Sequence, residues 1–420
     1  MKQPLELLAP AGDMEKLKTA IHFGANAVYM AGKQYGLRAY SGNFSNNELQ
    51  EAVAYAHAHG VKVYITLNIF AHNKDFQGLQ EYLQTLENAG VDAVIVSDLG
   101  VFTFVKQHTN LTIHISTQAN TTNKYTAKMY ADLGAKRIIL ARELTVEEIQ
   151  EIRAYLPKNI ELECFVHGAM CISYSGRCLL SNYLTGRDSN HGECVQACRW
   201  SWQLTNVQGE KVPMYKVQER TKHADELSVT EDDYGTYIFN SKDMNLLAHL
   251  DILAQAGVTS FKIEGRMKSP YYTATVVNAY RRAINQLENL PSGVGYTPDP
   301  TLMAELHKAS HRQYTTGFTI NNETVKQSYE TCVQTQESVF TALVKDVQND
   351  YIVVEMRNRF KVGDVLEILS PTALFGKTLT VQRMETMQGE RVTDAKLVQQ
   401  QLKIYTSLAP QFQVGDMLRK

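Results

Sequence analysis

The stretch NELQEAVAYAHAHGVKVYITL, residues 47–67, contains the unit from which the first part of the chain is built. Its first part has a helical pattern and ends on Gly60, a residue type that commonly stops helices because it tolerates a left-handed backbone. The run KVYITL at 62–67 is nearly all apolar rather than alternating. Strands that are buried on both faces of a parallel sheet have this pattern. The stretch therefore predicts a helix followed by a buried parallel strand.

The same theme recurs through the first 165 residues. Helical patterns alternate with short β-rich runs, which are LELLA, AVYM, KVYITL, AVIVS, TIHIS, RIILA and ELECFV. An eighth run, SFKIEG at 260–265, follows a long excursion. Eight strands, each with a following helix, predict a TIM-type (β/α)8 barrel and favour it over an open doubly wound sheet. A further run, YIFNS at 237–241, is either a barrel strand itself or part of a hairpin with SWQLTN at 201–206.

The predicted domain organisation has three parts. Residues 1–290 form the α/β barrel, with a cysteine-bearing insertion at 167–236 after strand seven. Residues 291–336 are a linker and a helical connector, because LENLPSGVGYTPDP contains Pro and Gly and has no apolar period. Residues 337–420 form a small C-terminal antiparallel β-barrel, because short alternating strands lie there and FKVGDVLEI is echoed by FQVGDMLRK.

The composition is that of an ordinary globular protein. The chain has 420 residues, of which 44% are hydrophobic and 20% are charged. Its first residues lack the basic and apolar regions of a signal peptide. No apolar window approaches the eighteen residues that a membrane helix needs. We therefore expect a cytoplasmic protein without a membrane partner, in which thiols stay reduced; the sequence leaves a homo-oligomer open.

The net charge of −2 argues against binding of nucleic acid by bulk electrostatics, but not against an RNA that docks on a local basic surface. The candidates for such a surface, spanning the barrel rim and the C-terminal module, are Lys268, Arg281, Arg282, Arg357, Arg359 and Lys361. For the first three of these the alternative interpretation is a solvated amphipathic helix after a loop.

Candidate site residues follow from the barrel, because its active site lies where the strands end. The positions singled out there are Arg38, Asn68, Gln118, Arg142, His167, Glu264 and Arg266. The three arginines could clamp a small substrate that carries carboxylates, since the guanidinium fork matches a carboxylate bidentately. The alternative is that some of the polar groups only cap helix N-termini.

Five of the six cysteines lie within 35 residues, and four of them have the spacing C-x6-C-x15-C-x3-C at Cys171, Cys178, Cys194 and Cys198. Four thiolates can hold an iron–sulfur cluster or a zinc ion. The absence of tight C-x2-C knuckles favours the cluster, while zinc and separate buried or catalytic thiols remain open. Cys164 lies in an apolar strand and is interpreted as a core residue.

No hydrolytic motif is visible, since neither a G-x-S-x-G elbow nor an H-E-x-x-H helix occurs. A dyad of His167 with Cys171 or Cys178 is conceivable, but it would leave the other cysteines unexplained.

Several long blocks, in order along the chain, resemble the U-32 peptidase family, also called collagenase-like peptidases. The blocks are LLAPAGD at 7–13, YGLRAYSGNF at 35–44, STQANTTN at 116–123, ECFVHGAMC at 163–171, SGRC at 175–178, NSKDM at 240–244 and FKIEGRMKSPYY at 261–272. The resemblance runs from residue 5 to about residue 290, and the C-terminal segment resembles the small β-barrel of the family.

The resemblance implies an activity other than proteolysis. Bacterial members of the family hydroxylate RNA or quinone precursors without oxygen, use prephenate, and carry a 4Fe–4S cluster on four cysteines. The length and the C-terminal barrel resemble the branch that hydroxylates the wobble uridine of tRNA to 5-hydroxyuridine. On this resemblance Cys171, Cys178 and Cys194 are cluster ligands and Cys198 is the fourth. The two carboxylates of prephenate would then engage the arginines of the rim.

Two other functions stay open at this point. One is a metal-dependent peptidase, as the family name suggests. The other is a non-catalytic RNA-binding protein in which the cysteines bind structural zinc.

Overall fold

A computed structural model gives the architecture. It describes residues 4–33, 35–36, 43–171, 173–175, 177–185, 187, 194–195, 197–199, 215–217, 227–232, 235–237, 241–291, 293–320 and 334–420.

The first half of the chain alternates strands and helices, as the sequence predicts. The strands are β1 (Glu6–Pro10), β2 (Ala27–Met30), β3 (Lys62–Leu67), β4 (Ala93–Val96), β5 (Ile113–Ile115), β6 (Arg137–Ile139) and β7 (Glu161–Ala169). The helices are α1 (Met14–His22), α2 (Asn46–Ala58), α3 (Leu79–Asn88), α4 (Leu99–His108), α5 (Lys124–Leu133) and α6 (Val146–Tyr155). Helix α2 begins with a capping box between Ser45 and Glu48, and Gly60 just after it has a φ of +71°.

The middle of the chain holds α7 (Leu180–Thr185), β8 (Tyr215–Val217), β9 (Leu227–Asp232), β10 (Gly235–Tyr237), β11 (Asp243–Asn245), α8 (Leu250–Gln255), β12 (Ser260–Ile263), α9 (Pro270–Glu288), α10 (Pro300–His307) and β13 (Tyr314–Thr315). Strands β1 to β7 pair in parallel in chain order, and β12 pairs in parallel with both β1 and β7. The sheet therefore closes, and the predicted barrel is confirmed over the open sheet.

Strand β12 takes the eighth place of the barrel, for which the run YIFNS was the other candidate. Residues 238–240 of that run lie outside the described residues. Tyr237, its first residue, ends β10, which pairs antiparallel with β9 in a separate three-stranded sheet. The proposed hairpin partner at 201–206 lies outside the described residues. Strand β7 is nine residues long, and its last residues pair antiparallel with β11 beyond the barrel wall.

The C-terminal module, residues 337–420, is antiparallel as predicted. Its strands are β14 (Phe340–Val347), β15 (Tyr351–Met356), β16 (Phe360–Lys361), β17 (Val365–Leu369), β18 (Thr378–Thr380), β19 (Met384–Thr386), β20 (Arg391–Val392), β21 (Asp394–Ala395), β22 (Gln401–Tyr405) and β23 (Met417–Arg419). Eight of them form one sheet that makes a half-barrel. The two echoed segments become neighbours there, because β17 pairs with β23.

The C-terminal module packs directly on the barrel helices. Leu343, Leu369 and Met417 belong to the same buried apolar cluster as the barrel core. The ring of Phe340 stacks on Tyr271 of α9 with 5.4 Å between the ring centroids. Apolar burial of this kind contributes roughly 25 cal/mol per Å², so the two parts stabilise each other. In the described part of the chain, no helix is both long and apolar enough to cross a membrane.

Candidate active site at the barrel mouth

A cavity opens at the carboxyl ends of the barrel strands. Its lining residues are Tyr29, Thr66, Asn68, Ile95, Ser116, Thr117, Gln118, Arg142, Phe165, Lys262, Glu264 and Arg266. Its volume is about 60 Å³, several times the roughly 10–15 Å³ that one buried water needs. Five of the seven positions singled out from the sequence line it, namely Asn68, Gln118, Arg142, Glu264 and Arg266.

The amide side of the cavity is shaped by the turn after β5. Ser116 ends the extended backbone, and its hydroxyl accepts a hydrogen bond from the Gln118 backbone N–H at 3.2 Å. The same hydroxyl also accepts a hydrogen bond, at 3.4 Å, from the amide nitrogen of Asn68, the residue that follows β3. Asn120 then takes a left-handed conformation with a φ of 52°. These contacts hold two primary amides at the cavity edge, where they can donate and accept hydrogen bonds.

Two guanidinium groups reach the cavity from opposite parts of the barrel. Arg142 donates a hydrogen bond from Nη1 to the carbonyl oxygen of Ala169 at 2.6 Å, and its guanidinium carbon lies 4.3 Å from the centroid of the Phe165 ring. Arg266 is buried and donates to the Thr66 hydroxyl at 3.1 Å. The third predicted arginine, Arg38, lies outside the described residues. The structure thus brings two of the three predicted arginines to one cavity.

The carboxylate of Glu264 is held at the cavity wall. The Tyr29 hydroxyl donates to its Oε2 at 3.2 Å, and the Tyr272 hydroxyl donates to its backbone carbonyl at 2.9 Å. Gly168 has a φ of +110°, and a Cβ there would lie 2.6 Å from the carbonyl oxygen of Glu264. Gly168 is therefore required, because a side chain there would prevent the close approach of its backbone to that of Glu264.

His167 does not line the cavity, in contrast to its predicted place among the rim groups. It is buried, and its Nδ1 lies 3.3 Å from the Tyr280 hydroxyl. Burial, with His311 and Lys268 nearby, lowers its pKa to about 3. Its Nε2 has no hydrogen-bond partner among the described residues, so a dyad with Cys171 or Cys178 is not formed. His167 is a neutral core residue in this structure.

Lys262 is a cavity residue that the sequence analysis missed. It lies on β12, is 4% exposed, and its Nζ is 2.9 Å from Oε1 of Glu163. Burial lowers its pKa, and the charge of Glu163 opposes that shift. The position of this lysine in the middle of the apolar run SFKIEG could have indicated a special role, since lysine is seldom buried without a charged partner or a function.

The four cysteines of the predicted metal centre lie beyond the end of β7. Cys171 and Cys194 are exposed, Cys178 and Cys198 are half-buried, and none forms a disulfide. Cys164 is buried in β7, and burial raises the pKa of its thiol, in keeping with a core residue. Across the described ranges, no group of three or more His, Cys, Asp or Glu side chains could hold a metal ion. The four thiols are thus not gathered into a binding geometry here, and the centre stays a prediction.

The candidate RNA-binding cations differ in their surroundings. Arg281 is bound to Asn26 and Glu288, and Arg282 donates to three carbonyl oxygens of the C-terminal module. Arg357 joins Glu15 of α1 to Glu355 of β15. These three side chains hold the structure together. Arg359 and Lys361 are exposed, and Arg359 pairs with Asp394 at the surface.

Comparison with known proteins identifies the family. Residues 12–329 match the sequence model of peptidase family U32, and residues 336–419 match that of the peptidase family U32 C-terminal domain. The tRNA hydroxylation protein P of Escherichia coli (strain K12) is 35% identical over 415 residues, covering 92% of this chain and 90% of that protein. The tRNA hydroxylation protein P1 of Bacillus subtilis (strain 168) is 36% identical over 423 residues, covering 100% of this chain and 95% of that protein.

A third relative acts on a different RNA, according to its name. The 23S rRNA 5-hydroxycytidine C2501 synthase of Escherichia coli (strain K12) is 36% identical over 283 residues, covering 67% of this chain and 40% of that protein. Matches along nearly the whole chain and in both of its parts place the protein: it belongs to peptidase family U32.

Proposed function

We propose that this protein is an RNA hydroxylase that converts the wobble uridine of tRNA to 5-hydroxyuridine. The observation that carries the proposal is the cavity where Arg142 and Arg266 meet the amides of Asn68 and Gln118. Its position at the carboxyl ends of the strands is that of the active sites of such barrels. The similarity along almost the whole chain to two proteins named for tRNA hydroxylation supports the choice of substrate.

The co-substrate of this proposal is prephenate, a small dicarboxylate. Arg142 and Arg266 supply guanidinium groups that match carboxylate oxygens in pairs. The Nη1 of Arg142 donates a hydrogen bond to the Ala169 carbonyl oxygen, and the Nε has no hydrogen-bond partner among the described residues. A buried donor without an acceptor is costly, so an incoming carboxylate would find a donor already oriented.

The redox group of this proposal is a 4Fe–4S cluster held by Cys171, Cys178, Cys194 and Cys198, with a zinc ion as the alternative occupant. The chemistry of the donors suits such a group, because thiolates are the ligands of iron–sulfur clusters and none of the four thiols forms a disulfide or is fully buried. Binding would require the four described side chains to come together, since they are not gathered into a ligand set in this structure. When bound, the cluster would supply electron transfer. Arg142 links the cavity to this region, since it holds the carbonyl of Ala169, two residues before Cys171.

The RNA base has to leave its stack to reach the cavity, as enzymes that modify bases require. Asn68 and Gln118 can then donate to and accept from the edge of a uracil, because each amide carries both kinds of group. Glu264, fixed by Tyr29, is the only carboxylate among the described lining residues and the candidate to accept a proton.

The test is the analysis of tRNA nucleosides by mass spectrometry in a bacterial strain that lacks its own 5-hydroxyuridine pathway. The wild-type chain should restore 5-hydroxyuridine. Arg142→Ala and Arg266→Ala should remove it, since loss of a desolvated charge partner costs roughly 2–5 kcal/mol. Lys128→Ala, which removes an exposed partner of Asp132, is the matched control and should behave as wild type.

Absence of 5-hydroxyuridine in tRNA from cells with the folded wild-type protein would contradict the proposal. Cleavage of denatured protein by the purified chain, lost on addition of a chelator, would favour the peptidase instead.

A further inference from the structure

A second kind of cation lies at the floor of the cavity, below the arginines. Lys262 and Glu264 lie two residues apart on and just after β12, so their side chains point the same way. At about 3.3 Å per residue, the lysine lies roughly 6–7 Å deeper along the strand than the glutamate. The backbone of Lys262 is therefore deeper in the barrel than that of Glu264, and both side chains line the cavity.

The counter-charge of Lys262 is shared with another cation. Glu163 is fully buried, and its Oε1 lies 2.9 Å from the Lys262 ammonium while its Oε2 lies 3.0 Å from Arg137. Arg137 also contacts the carboxylates of Glu6 and Glu161. Three carboxylates thus contact Arg137, whereas Lys262 contacts a single oxygen of Glu163.

The rest of the ammonium faces aromatic rings. Lys262 Nζ lies 4.5 Å from the centroid of Tyr29 and 5.3 Å from that of Phe165. Among the residues that the structure describes, the oxygen of Glu163 is its single hydrogen-bond acceptor. An ammonium has three N–H donors, and ring faces satisfy a cation only weakly. Phe165 also carries Arg142 on its ring, so both cations border the same part of the cavity.

We propose that the cavity floor is an anion subsite in which Lys262 binds one carboxylate of a small organic dicarboxylate, while Arg142 and Arg266 bind the other. The subsite rests on the proposed function and extends it, because it assigns the two ends of the co-substrate to different depths. A monocarboxylate would use the arginines alone. Burial lowers the pKa of Lys262, the charges of Glu163 and Glu264 oppose that shift, and a bound carboxylate would add to their effect.

The experiment is calorimetric titration of the full chain with two dicarboxylates, prephenate and adipate, and with the monocarboxylate phenylpyruvate. The variants are Lys262→Gln and Lys262→Met, which remove the charge, and Lys262→Arg, which keeps it. Both uncharged variants should lose at least about tenfold in affinity for prephenate and less than about threefold for phenylpyruvate. Lys262→Arg should keep the preference for the dicarboxylate.

Circular dichroism melting separates a binding loss from unfolding, and Lys262→Met, which can pack on the same two rings, serves if Lys262→Gln does not fold. Equal losses for prephenate and phenylpyruvate, or no loss, would overturn the subsite. Binding of adipate but not prephenate by the wild type, with adipate lost in the uncharged variants, would retain the subsite and reject the proposed co-substrate. Binding of neither dicarboxylate would overturn the subsite, whether or not tRNA carries 5-hydroxyuridine.

Discussion

Two buried groups of charges in this protein differ in how completely they are paired. The interface cluster joins the barrel to the C-terminal module and consists of Glu305, Lys308, Glu367 and Arg419. Arg419 contacts Glu305 at 2.6 Å and Glu367 at 2.8 Å. Lys308 contacts the same two carboxylates at 3.4 and 2.6 Å. Each cation thus meets both anions, and the cluster is closed.

The barrel cluster consists of Glu6, Arg137, Glu161, Glu163 and Lys262. Here Arg137 contacts all three carboxylates, and Lys262 contacts Glu163 alone. The lysine also lines a cavity, whereas Arg419 is fully buried. Buried ions are stable when their partners are complete and costly when they are not. The closed cluster therefore acts as a joint, and the open one leaves a charge available to a ligand.

The largest effect is expected at the joint. Arg419→Met should lower the free energy of unfolding by about 3–5 kcal/mol, because Glu305 stays buried without its main partner. Burial acts to lower the pKa of Arg419, but the hydrogen bonds that Arg419 donates to Glu305, together with the charge of Glu305, raise it, which indicates a strongly held pair. Urea denaturation followed by circular dichroism measures the change.

The double variant Arg419→Met with Glu305→Leu is the matched control. Replacing both ions with apolar groups removes the unpaired charge, so much of the lost stability should return. A double variant that is as unstable as the single one would show that the joint depends on shape rather than on charge.

Acid should destabilise the protein at another buried position, His167. Its pKa is lowered from 6.5 to about 3 by burial, so the folded state binds fewer protons than the unfolded state between these values. The contribution of neutral His167 to stability is therefore fully present above pH 6.5 and is lost as the pH falls towards 3. The slope for one such proton is about 1.4 kcal/mol per pH unit.

Denaturation curves between pH 7.5 and 4.5 in the His167→Gln variant should lose this slope, although a remainder from buried His114 is expected, since burial lowers that pKa as well. His59→Gln, at an exposed position, should keep the wild-type slope. An unchanged slope in His167→Gln would mean that the imidazole reaches solvent.

Much of the barrel could be predicted because its signal is local. Runs such as AVYM and KVYITL are wholly or nearly all apolar, and their strands begin and end where the runs do. The place of YIFNS could not be settled, because a strand's partner depends on distant residues. Pairing of β11 with the overlong end of β7 is such a long-range fact.

The site likewise has positions that local sequence signals could predict and positions that depend on distant residues. Positions just after strands could be found, since parallel strands end at one face of the barrel. His167 was expected just after strand seven, but β7 continues to Ala169, so His167 lies inside the strand and is buried beside Tyr280. Lys262 was missed because it is inside a strand, where a charge has a role only if its partners, here Glu163 and the rings, are known.

The smallest change in stability, and the sharpest contrast with both clusters, is expected at exposed ion pairs of the C-terminal module. Arg359 binds Asp394 at 2.7 Å, but 69% of its side chain is exposed. Water screens such pairs, so the double variant Arg359→Ala with Lys361→Ala should unfold at the wild-type urea concentration. We expect the same variant to bind tRNA more weakly, because both cations are exposed and phosphates can compete with Asp394 for Arg359.

Filter binding of tRNA at several salt concentrations measures this effect. Each lost phosphate contact should lower the slope of log K against log salt by roughly 0.7–0.9. The matched control is Arg383→Ala, an exposed arginine of the same module that pairs with Glu385 at 2.6 Å. If Arg383→Ala reduces the slope and the double variant does not, RNA meets another side of the module. If neither variant changes the slope, the module does not contact RNA phosphates through these cations, and its contribution is the closed joint alone.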